Sequence, residues 1–196
     1  MTEKKEDRRI RKTRRLLQQG LCDLMQKKEL RSITVRELTD YVDINRGTFY
    51  LHYRDIYDLL EKIEDEVLAQ LQDRVDTFRP QSSPVNLLPI LEPFAQYIEQ
   101  HYDLCCTLFC NTSSDRFLRQ FQRLIQQNGD RLVQNAFPPT DPSLLDNYLL
   151  FIANGITGLL RSQMANHIPF QREKLVQLCH TIIISSPTGL VGPPIN

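Results

Sequence analysis

ITVREL at residues 33–38 and INRGTFYLHY at residues 44–53 are the two segments that decide the fold of this chain. Thr34 followed by Glu37 has the form of a capping box, which predicts a short helix ending near Tyr41. The residues VDIN at 42–45 indicate a tight turn, because Asp and Asn tolerate left-handed backbone. Asn45 can then cap a second short helix over residues 46–53. Two short helices joined by such a turn predict a helix-turn-helix.

An amphipathic helix precedes this pair. Its apolar residues are spaced by three, four or seven, which predicts one helix over residues 10–25: Ile10, Leu17, Leu21 and Leu24. Gly20 lies inside this helix, where a residue without a side chain often marks the close approach of another helix. The three predicted helices together make a small N-terminal domain.

Positive charge is concentrated at the start of the chain, although the net charge is zero. Residues 1–50 contain 13 Lys and Arg against 8 Asp and Glu, whereas the rest contains 11 against 16. Eight of the cations fall within the first fifteen residues. Neutralising DNA phosphates needs positive charge only where the protein meets the DNA. A basic N-terminal segment followed by an acidic remainder therefore predicts a modular DNA-binding protein. The alternative for the basic cluster is a solvated terminus.

The second helix of the pair carries the residue types that read DNA. Arg46 can donate to guanine O6 and N7, and Thr48 can contact a thymine methyl group or a phosphate. Gly47 lets the backbone approach DNA closely. Tyr50 and His52 can donate hydrogen bonds to phosphates and so fix the register. The alternative for the two aromatic residues is ordinary packing. We expect Phe49 to point inward and Tyr53 to pack in the core.

These segments closely resemble the TetR/AcrR family of bacterial regulators. The Thr-Phe-Tyr-x-His core at residues 48–52, with ITVREL upstream, carries the resemblance, which covers residues 8–65. Phe94, Tyr97 and Ile98, with residues 104–121, are similar to a branch that includes activators of dihydroxyacetone kinase genes. The resemblance implies a homodimer of nine-helix subunits, in which helices one to three bind DNA. It also implies a small-molecule site in the body and a dimer interface of four helices, the last two from each subunit.

The predicted DNA contacts follow from the capping argument and the resemblance. They are Thr34, Arg36, Asn45, Arg46, Gly47, Thr48, Tyr50 and His52. Three positions are compared with the family pattern, and the small residue usual in the first helix is Gly20. The turn position that is commonly glycine is Asp43, and the position that often carries a phosphate-binding lysine is Ile56. Arg54 or the basic arm can replace that phosphate contact.

The rest of the pattern predicts helices throughout, because no segment alternates with period two over a useful length. The fold class is therefore all-α, with about nine helices. We expect a helix-turn-helix DNA-binding domain over residues 1–54 and a helical effector-binding and dimerisation domain over 55–185. Pro and Gly are frequent after Ser186, which predicts a disordered tail over 186–196.

A ligand pocket is expected in the body, lined by helices four to eight. Apolar pockets with a few polar groups are the usual form of small-molecule site. The candidates are Phe94, Tyr97, Ile98, His101, Cys105, Phe109, Phe117, Phe121, Tyr148 and Phe151. The alternative is that these aromatics are core residues, since apolar residues at helical spacing usually are.

Three cysteines lie close together at Cys105, Cys106 and Cys110, one turn after His101. A thiol sensor or a metal site is conceivable. Buried cysteine is also a common small apolar core residue, and we favour that interpretation. We predict no metal site.

Small residues three apart, Gly155 and Gly158, would let another helix approach the eighth helix closely. With apolar neighbours they suit a dimer bundle. The predicted interface residues are Ile152, Gly155, Ile156, Leu159, Leu175, Leu178 and Ile182, and the alternative is packing within one chain. DNA recognition also favours a dimer, because two heads about 34–36 Å apart can read adjacent major grooves.

The sequence contains no nucleophile elbow, phosphate loop or metal-ligand spacing, so we expect no enzyme, no catalytic residue and no cofactor. No segment approaches the ~18 apolar residues of a membrane span, and the charged N-terminus shows no signal peptide. Five cysteines, an odd number, fit a reducing compartment better than a disulfide framework. Together these observations predict the cytoplasm and no membrane partner. The expected function is a ligand-responsive homodimeric repressor that binds a palindromic operator on double-stranded DNA and is released by a small molecule. The alternative is an activator acting through a partner protein.

Overall fold

The computed structural model describes residues 8–77, 87–111, 115–134, 142–166 and 168–190. These ranges contain nine α-helices, a short 3₁₀ turn at Leu30–Ser32 and no strand, which confirms the predicted all-α class. The helices are α1 (Arg8–Met25), α2 (Val35–Tyr41), α3 (Arg46–Tyr50), α4 (Ile56–Thr77), α5 (Leu88–Gln100), α6 (Tyr102–Cys110), α7 (Asp115–Gln134), α8 (Pro142–Ala165) and α9 (Arg172–Leu190).

The chain divides into two compact units, and α4 contributes residues to both. Of the described residues, the first unit contains 8–66 and Asn111, and the second contains the others from Val67 onward. The domain boundary expected after residue 54 stays a prediction. The tail expected from Ser186 differs from the structure in part, since α9 continues to Leu190. Residues 191–196 of that tail lie outside the described residues.

The core of the first unit is built by the stripe that the sequence predicted on α1. Leu17 and Leu21 of α1 are fully buried, as are Leu38 of α2 and Phe49 of α3. At Gly20 a Cβ atom would lie 2.3 Å from a methyl group of Val42, which real contacts do not allow. The glycine is therefore what lets the end of α2 pack directly against α1.

The turn between α2 and α3 depends on a left-handed residue. Asp43 has φ 53°, and it is the only non-glycine residue with positive φ among the described residues. Asp tolerates this conformation better than most side chains, so Asp43 makes the turn at the position where the resemblance leads one to expect glycine. The backbone N–H of Ile44 donates to the Thr39 carbonyl at 2.9 Å and closes it.

The second unit is a bundle in which α8 lies against α6, α7 and α9, while α5 packs on α9. Phe109 of α6 meets Phe117 and Phe121 of α7 edge to face, with ring centroids 5.3 and 5.1 Å apart. Arg172 at the start of α9 donates to Glu99 of α5 at 3.1 Å. Aromatic packing and an ion pair thus position the helices that carry the cavity described below.

One described helix is long and apolar enough to cross a membrane, judged by length and composition alone. It covers Ser143–Ala165, with a mean hydropathy of 1.2. This differs from the expectation that no segment comes near a membrane span. The core helix of a soluble protein passes the same test, and α8 has one side in the core, with Leu145, Leu149 and Ile152 buried.

Candidate DNA-reading helix and ligand cavity

Asn45 sets the start of α3. Its backbone is extended (φ −64°, ψ 136°), and its side-chain oxygen accepts from the Gly47 backbone N–H at 2.7 Å. This is the N-cap that the sequence predicted, and it occupies one of the N–H groups that a helix start leaves unpaired. Arg46 and Gly47 form the exposed first turn. Asn45 is therefore placed to shape the helix start, with its own side-chain oxygen already engaged.

The first turn of α3 presents one cation to solvent. Arg46 is exposed, and no hydrogen bond or ion pair engages it within the described ranges. Gly47 leaves open space beside it, because only Asn45 Oδ1 lies within 4 Å of where its Cβ would be. Thr48 is half-buried, and Tyr50 is 58% exposed. This face has a guanidinium, a bare backbone position and two hydroxyl groups within five residues.

The opposite face of α3 is sealed against the core of its own unit. Phe49 is fully buried and Tyr53 is 7% exposed, and their rings are 5.6 Å apart. Both placements agree with the expectations from the sequence. Leu51, which sequence reasoning missed, is 80% exposed at the end of α3. An apolar side chain at that position adds a group that can contact a thymine methyl.

The helix is shorter than predicted, since it ends at Tyr50 and not near Tyr53. The His52 N–H donates to the Phe49 carbonyl at 2.9 Å, three residues back, which tightens the last turn. Lys62 of α4 then donates to the His52 carbonyl at 2.9 Å. His52 therefore lies in the turn after the helix, half-buried, with its backbone held by α4. Nothing in the local pattern around His52 indicates this lysine, which lies ten residues later.

Helix α2 supplies the other two candidate contacts. The Thr34 hydroxyl accepts from the Glu37 N–H at 3.2 Å, so the predicted cap is present. The reciprocal half of the capping box is not formed, because the Glu37 carboxylate accepts from Lys28 Nζ. Arg36 is exposed, and its Nε lies 3.6 Å from Asp40 Oδ2 in a solvent-exposed ion pair, a kind of pair that contributes little to stability.

The start of α4 lies directly after the DNA-reading segment and is held by a buried carboxylate. Asp55 caps the helix by accepting from the Asp58 N–H at 2.8 Å. Asp58 accepts from the Arg54 backbone N–H at 3.0 Å and from Lys62 at 3.0 Å. Its side chain is 8% exposed, whereas that of Arg54 is 81% exposed. Ile56, at the position where the resemblance leads one to expect a lysine, is buried, and Arg54, whose guanidinium lies 3.2 Å from Asp58 Oδ1, is an exposed cation at this junction.

These contacts make the first unit sensitive to acid. The backbone hydrogen bond from Arg54 holds the pKa of Asp58 below its usual value, helped by side-chain hydrogen bonds from Lys62 and Arg54 and by the charge of Lys62, and opposed by burial of the carboxyl. A lowered carboxyl pKa stabilises the fold above pH ~4, and this stabilisation is lost as pH falls through the folded-state pKa. We expect the free energy of unfolding of the Asp58→Asn variant, measured with urea, to fall less between pH 5 and pH 2.5 than that of the parent. Glu61→Gln, an exposed carboxyl on the same helix, is the control and should retain the parent's pH dependence.

A cavity of about 140 Å³ lies within the second unit. Helices α4, α5, α7, α8 and α9 all contribute to its wall, and α6 does not. The lining residues are Val75, Leu87, Leu91, Phe94, Ala95, Ile98, Phe121, Leu124, Ile125, Asn128, Gly129, Tyr148, Leu149, Ile152, Ile156, Leu160, Leu175, Val176, Cys179 and Ile183. The cavity is the feature of this unit most like a small-molecule site.

The structure places four of the predicted pocket residues in this wall and the others elsewhere. Phe94, Ile98, Phe121 and Tyr148 line the cavity. The residues outside the wall are Tyr97, His101, Cys105, Phe109, Phe117 and Phe151. Tyr97 is buried under the Arg74 guanidinium, and Cys105, Phe109 and Phe117 fill the core near α6.

His101 and Phe151 are both exposed to solvent. His101 caps the end of α5 with its ring 4.5 Å from that of Tyr97, and Phe151 is 69% exposed on α8. The aromatic residues predicted for the pocket therefore lie in four environments: the cavity wall, the core, a helix end and the surface. Helix α6 was expected to line the pocket but contributes no residue to this cavity, whereas α9 contributes four.

Cys105, Cys106 and Cys110 all lie on α6, at different depths of burial. All five cysteines of the chain are free. Burial, with Cys110 beside it, raises the pKa of Cys106 to about 11, so its thiol stays protonated. No group of three or more His, Cys, Asp or Glu side chains suited to a metal lies within the part of the chain that the structure describes. Cys105 is 1% exposed, which agrees with the core interpretation.

The predicted dimer residues fall into two sets. Ile152, Ile156 and Leu175 line the cavity of their own chain. Leu178 and Ile182 of α9 are 45% and 41% exposed, and no atom lies within 4 Å of a Cβ built at Gly155. Leu159 is half-buried. An exposed apolar face therefore remains on α8 and α9, and Phe151, which was expected in the pocket, belongs to it.

Comparison with known proteins identifies the second unit by sequence. The family model TetR_C_8, described as a transcriptional regulator C-terminal region, matches residues 85–185, more than half of the chain. The HTH-type transcriptional regulator YxbF of Bacillus subtilis (strain 168), itself uncharacterized, is 34% identical over 74 residues. That match covers 37% of this chain and 20% of YxbF, so the chain matches about a fifth of the length of this relative.

Solved structures share the fold at low identity. The dihydroxyacetone kinase operon activator DhaS has a TM-score of 0.64 at 17% identity, over 91% of this chain and 97% of DhaS. A TetR transcriptional regulator from Streptococcus agalactiae 2603V has a TM-score of 0.63 at 21% identity, over 91% and 97%. NalD, the secondary repressor of the MexAB-OprM multidrug efflux pump in Pseudomonas aeruginosa, has a TM-score of 0.63 at 16% identity, over 90% and 96%.

The sequence match and the fold lead to the same assignment. The helix-turn-helix pattern, the nine described helices and the C-terminal match agree with the resemblance first seen at residues 33–53. The relatives are transcriptional regulators. This chain belongs to the TetR family of helix-turn-helix transcriptional regulators.

Proposed function

We propose that the protein is a homodimeric repressor that binds a palindromic DNA operator through α3 and is released by a small molecule bound in the second unit. The exposed first turn of α3 carries this proposal. Arg46 is free of protein partners in the described residues, and Gly47 removes the side chain that would keep the backbone away from the groove. Helix α3 has its apolar side in the core and its polar side in solvent, as a groove-reading helix requires.

DNA contacts divide into those that read bases and those that hold the backbone. Arg46 is proposed to read a guanine, with Thr48 and Leu51 close enough along α3 to contact a thymine methyl. Thr34, Arg36, Tyr50, His52 and Arg54 are proposed as phosphate contacts. Asn45 is proposed to act by capping α3, since its side-chain oxygen is occupied by the Gly47 N–H.

The dimer is proposed to form through the exposed apolar face of α8 and α9. This face, which we call the α8–α9 face, consists of Leu144, Phe151, Gly155, Gly158, Leu178 and Ile182. The α8 members are spaced by seven, four and three residues, so they form one stripe. A second copy is the partner proposed, because the two glycines admit a helix backbone and the apolar neighbours would be covered by their counterparts.

The ligand is proposed to release the protein from DNA through α4, which belongs to both compact units. Val75 of α4 lines the cavity, and Gln72 one turn earlier exchanges hydrogen bonds with the cavity residue Asn128. A ligand that displaces either residue would shift the helix that continues to the DNA-reading unit. Such a ligand acts only if it binds one arrangement better than the other. A regulator of this kind is proposed to act on double-stranded DNA in the cytoplasm.

The experiment that tests DNA recognition is selection of bound sequences from random duplexes by the purified protein. We expect a palindrome whose half-sites are centred about one DNA turn apart. Arg46→Ala should then weaken binding about 5- to 100-fold and relax selection at one position in each half-site. Arg31→Ala, which removes a cation of the same unit away from α3, is the matched control and should retain the base preference.

Two results would contradict the proposal. One is that selection enriches no sequence, and the other is that Arg46→Ala weakens all sequences equally without changing the preferred bases. The sign of regulation is tested by placing the selected operator before a reporter gene. A repressor lowers expression when the protein is present, whereas higher expression would show activation.

A further inference from the structure

We propose that the cavity of the second unit binds a small uncharged hydrocarbon, about the size of one aromatic ring, and excludes ionised and strongly polar relatives of that molecule. The inference deepens the proposed function by naming the effector class of its ligand site. It depends on that function only for the claim that binding regulates transcription. Binding itself is argued from the wall of the cavity.

The first observation is the chemistry of the wall. Among the residues that the structure describes, the wall of the cavity includes no Asp, Glu, Lys, Arg or His, and all but a few of its residues are aliphatic or aromatic. A charge brought into such a site loses its hydration and gains no partner, at a cost that binding cannot recover. Carboxylates, phosphates and ammonium groups are therefore excluded from the cavity.

The second observation is that the side-chain donors of Asn128 and Tyr148 in the wall are already engaged. Asn128 Nδ2 donates to Gln72 Oε1 at 3.0 Å and to the Leu124 carbonyl at 2.8 Å. The Tyr148 hydroxyl donates to the Ile183 carbonyl at 2.8 Å. A hydroxyl or amide on the ligand would give up its bonds to water and find these donors occupied. The wall thus favours a ligand with no hydrogen-bonding group over the same ligand with one.

The third observation is the size of the space. Its volume of about 140 Å³ is close to the ~150 Å³ of an engineered apolar protein cavity that stays dry and takes up benzene. Phe94, Phe121 and Tyr148 place three aromatic rings in the wall, which can pack against a further ring. A monocyclic aromatic hydrocarbon matches both the volume and the wall.

Ala95 gives a direct way to block the site. It is 4% exposed and lines the cavity from α5, so a phenyl group built there would occupy the space of the ligand. Ala69 provides a matched control for the same change. It is exposed on α4 and does not line this cavity.

The test is calorimetric titration of the full chain, without DNA, using toluene, benzyl alcohol and benzoate as probes. We expect toluene to bind, benzyl alcohol to bind at least about tenfold more weakly, and benzoate not to bind. Ala95→Phe should abolish toluene binding, whereas Ala69→Phe should retain it. If Ala95→Phe fails to fold, nuclear Overhauser contacts between toluene and the methyl groups of Ile98 and Val176 in the parent protein locate the site instead.

Each contrary result overturns the inference. These are no toluene binding to the parent protein, benzoate binding as tightly as toluene, toluene binding retained by a folded Ala95→Phe variant, and toluene contacts to methyl groups outside the cavity. Failure here is distinct from failure of the proposed function. A protein that selects an operator but takes up no toluene refutes only the ligand class, and one that takes up toluene but selects no DNA refutes only the proposed function.

Discussion

Replacing Phe49 by alanine is expected to lower the free energy of unfolding of the first unit by about 3–5 kcal/mol, the usual cost of removing a fully buried phenyl group. Phe49 is completely buried and is the only member of α3 itself that is. The centroid of its ring lies 5.5 Å from that of Tyr50 and 5.6 Å from that of Tyr53. Because α3 has only five residues, it cannot persist without tertiary contacts, and this ring supplies the central one.

The measurement is urea unfolding of the full chain followed by circular dichroism, with hydrogen exchange of the α3 amides alongside it. Leu51→Ala is the matched control, since Leu51 lies two residues away and is 80% exposed. Its stability should stay within about 0.5 kcal/mol of the parent. The Phe49 variant should also lose operator binding at temperatures where the second unit remains folded. Parent-like exchange at α3 in the Phe49 variant would show that another contact holds the reading helix.

The DNA-reading unit was predictable because its signals are local. Asn45 caps α3 through the N–H two residues later, Thr34 caps α2 through the N–H three residues later, and Asp43 takes the left-handed turn. Each of these contacts joins residues that are close in sequence, so a short pattern contains both partners. What escaped prediction in this unit joins distant residues, such as Lys28 with Glu37 and Lys62 with the His52 carbonyl.

The cavity was only partly predictable for the same reason. Periodicity places Phe94 and Tyr97 on helix α5, but it does not say which neighbour each one faces. In the structure Phe94 lines the cavity, whereas Tyr97 packs under Arg74 of α4. Most of the wall is aliphatic, and aliphatic residues at helical spacing carry no mark that separates a cavity from a filled core.

The α8–α9 face could likewise be predicted only in part from the sequence. Helix α8 is apolar on two sides, so its pattern does not distinguish residues that pack within the chain from residues left for a partner. Ile152 was expected at the dimer interface and lines the cavity, whereas Phe151 was expected in the pocket and is 69% exposed. Neighbouring residues on a helix point about 100° apart, and only the position of α7 and α9 decides which of the two is covered.

Replacing Phe151 by glutamate is expected to convert the dimer to a monomer and to weaken binding to the palindromic operator by at least about 100-fold, because the two heads no longer bind as one molecule. Binding to a single half-site should be unchanged. Since Phe151 is 69% exposed in one chain, the variant should fold like the parent. Sedimentation gives the oligomeric state and titration of labelled duplexes gives the affinity. Leu88→Glu, at an exposed leucine on α5, is the control.

A second pair of variants separates loss of the dimer from loss of the fold. Leu178 and Leu175 are three residues apart on α9, but Leu178 is 45% exposed and Leu175 is 7% exposed. Leu178→Glu should dissociate the dimer and leave the helical signal intact, because its charge stays in water once the partner is gone. Leu175→Glu should unfold the second unit, since it buries a charge in the cavity wall. If Phe151→Glu and Leu178→Glu both remain dimeric, the subunits associate through another surface, and the apolar α8–α9 face must have a different partner.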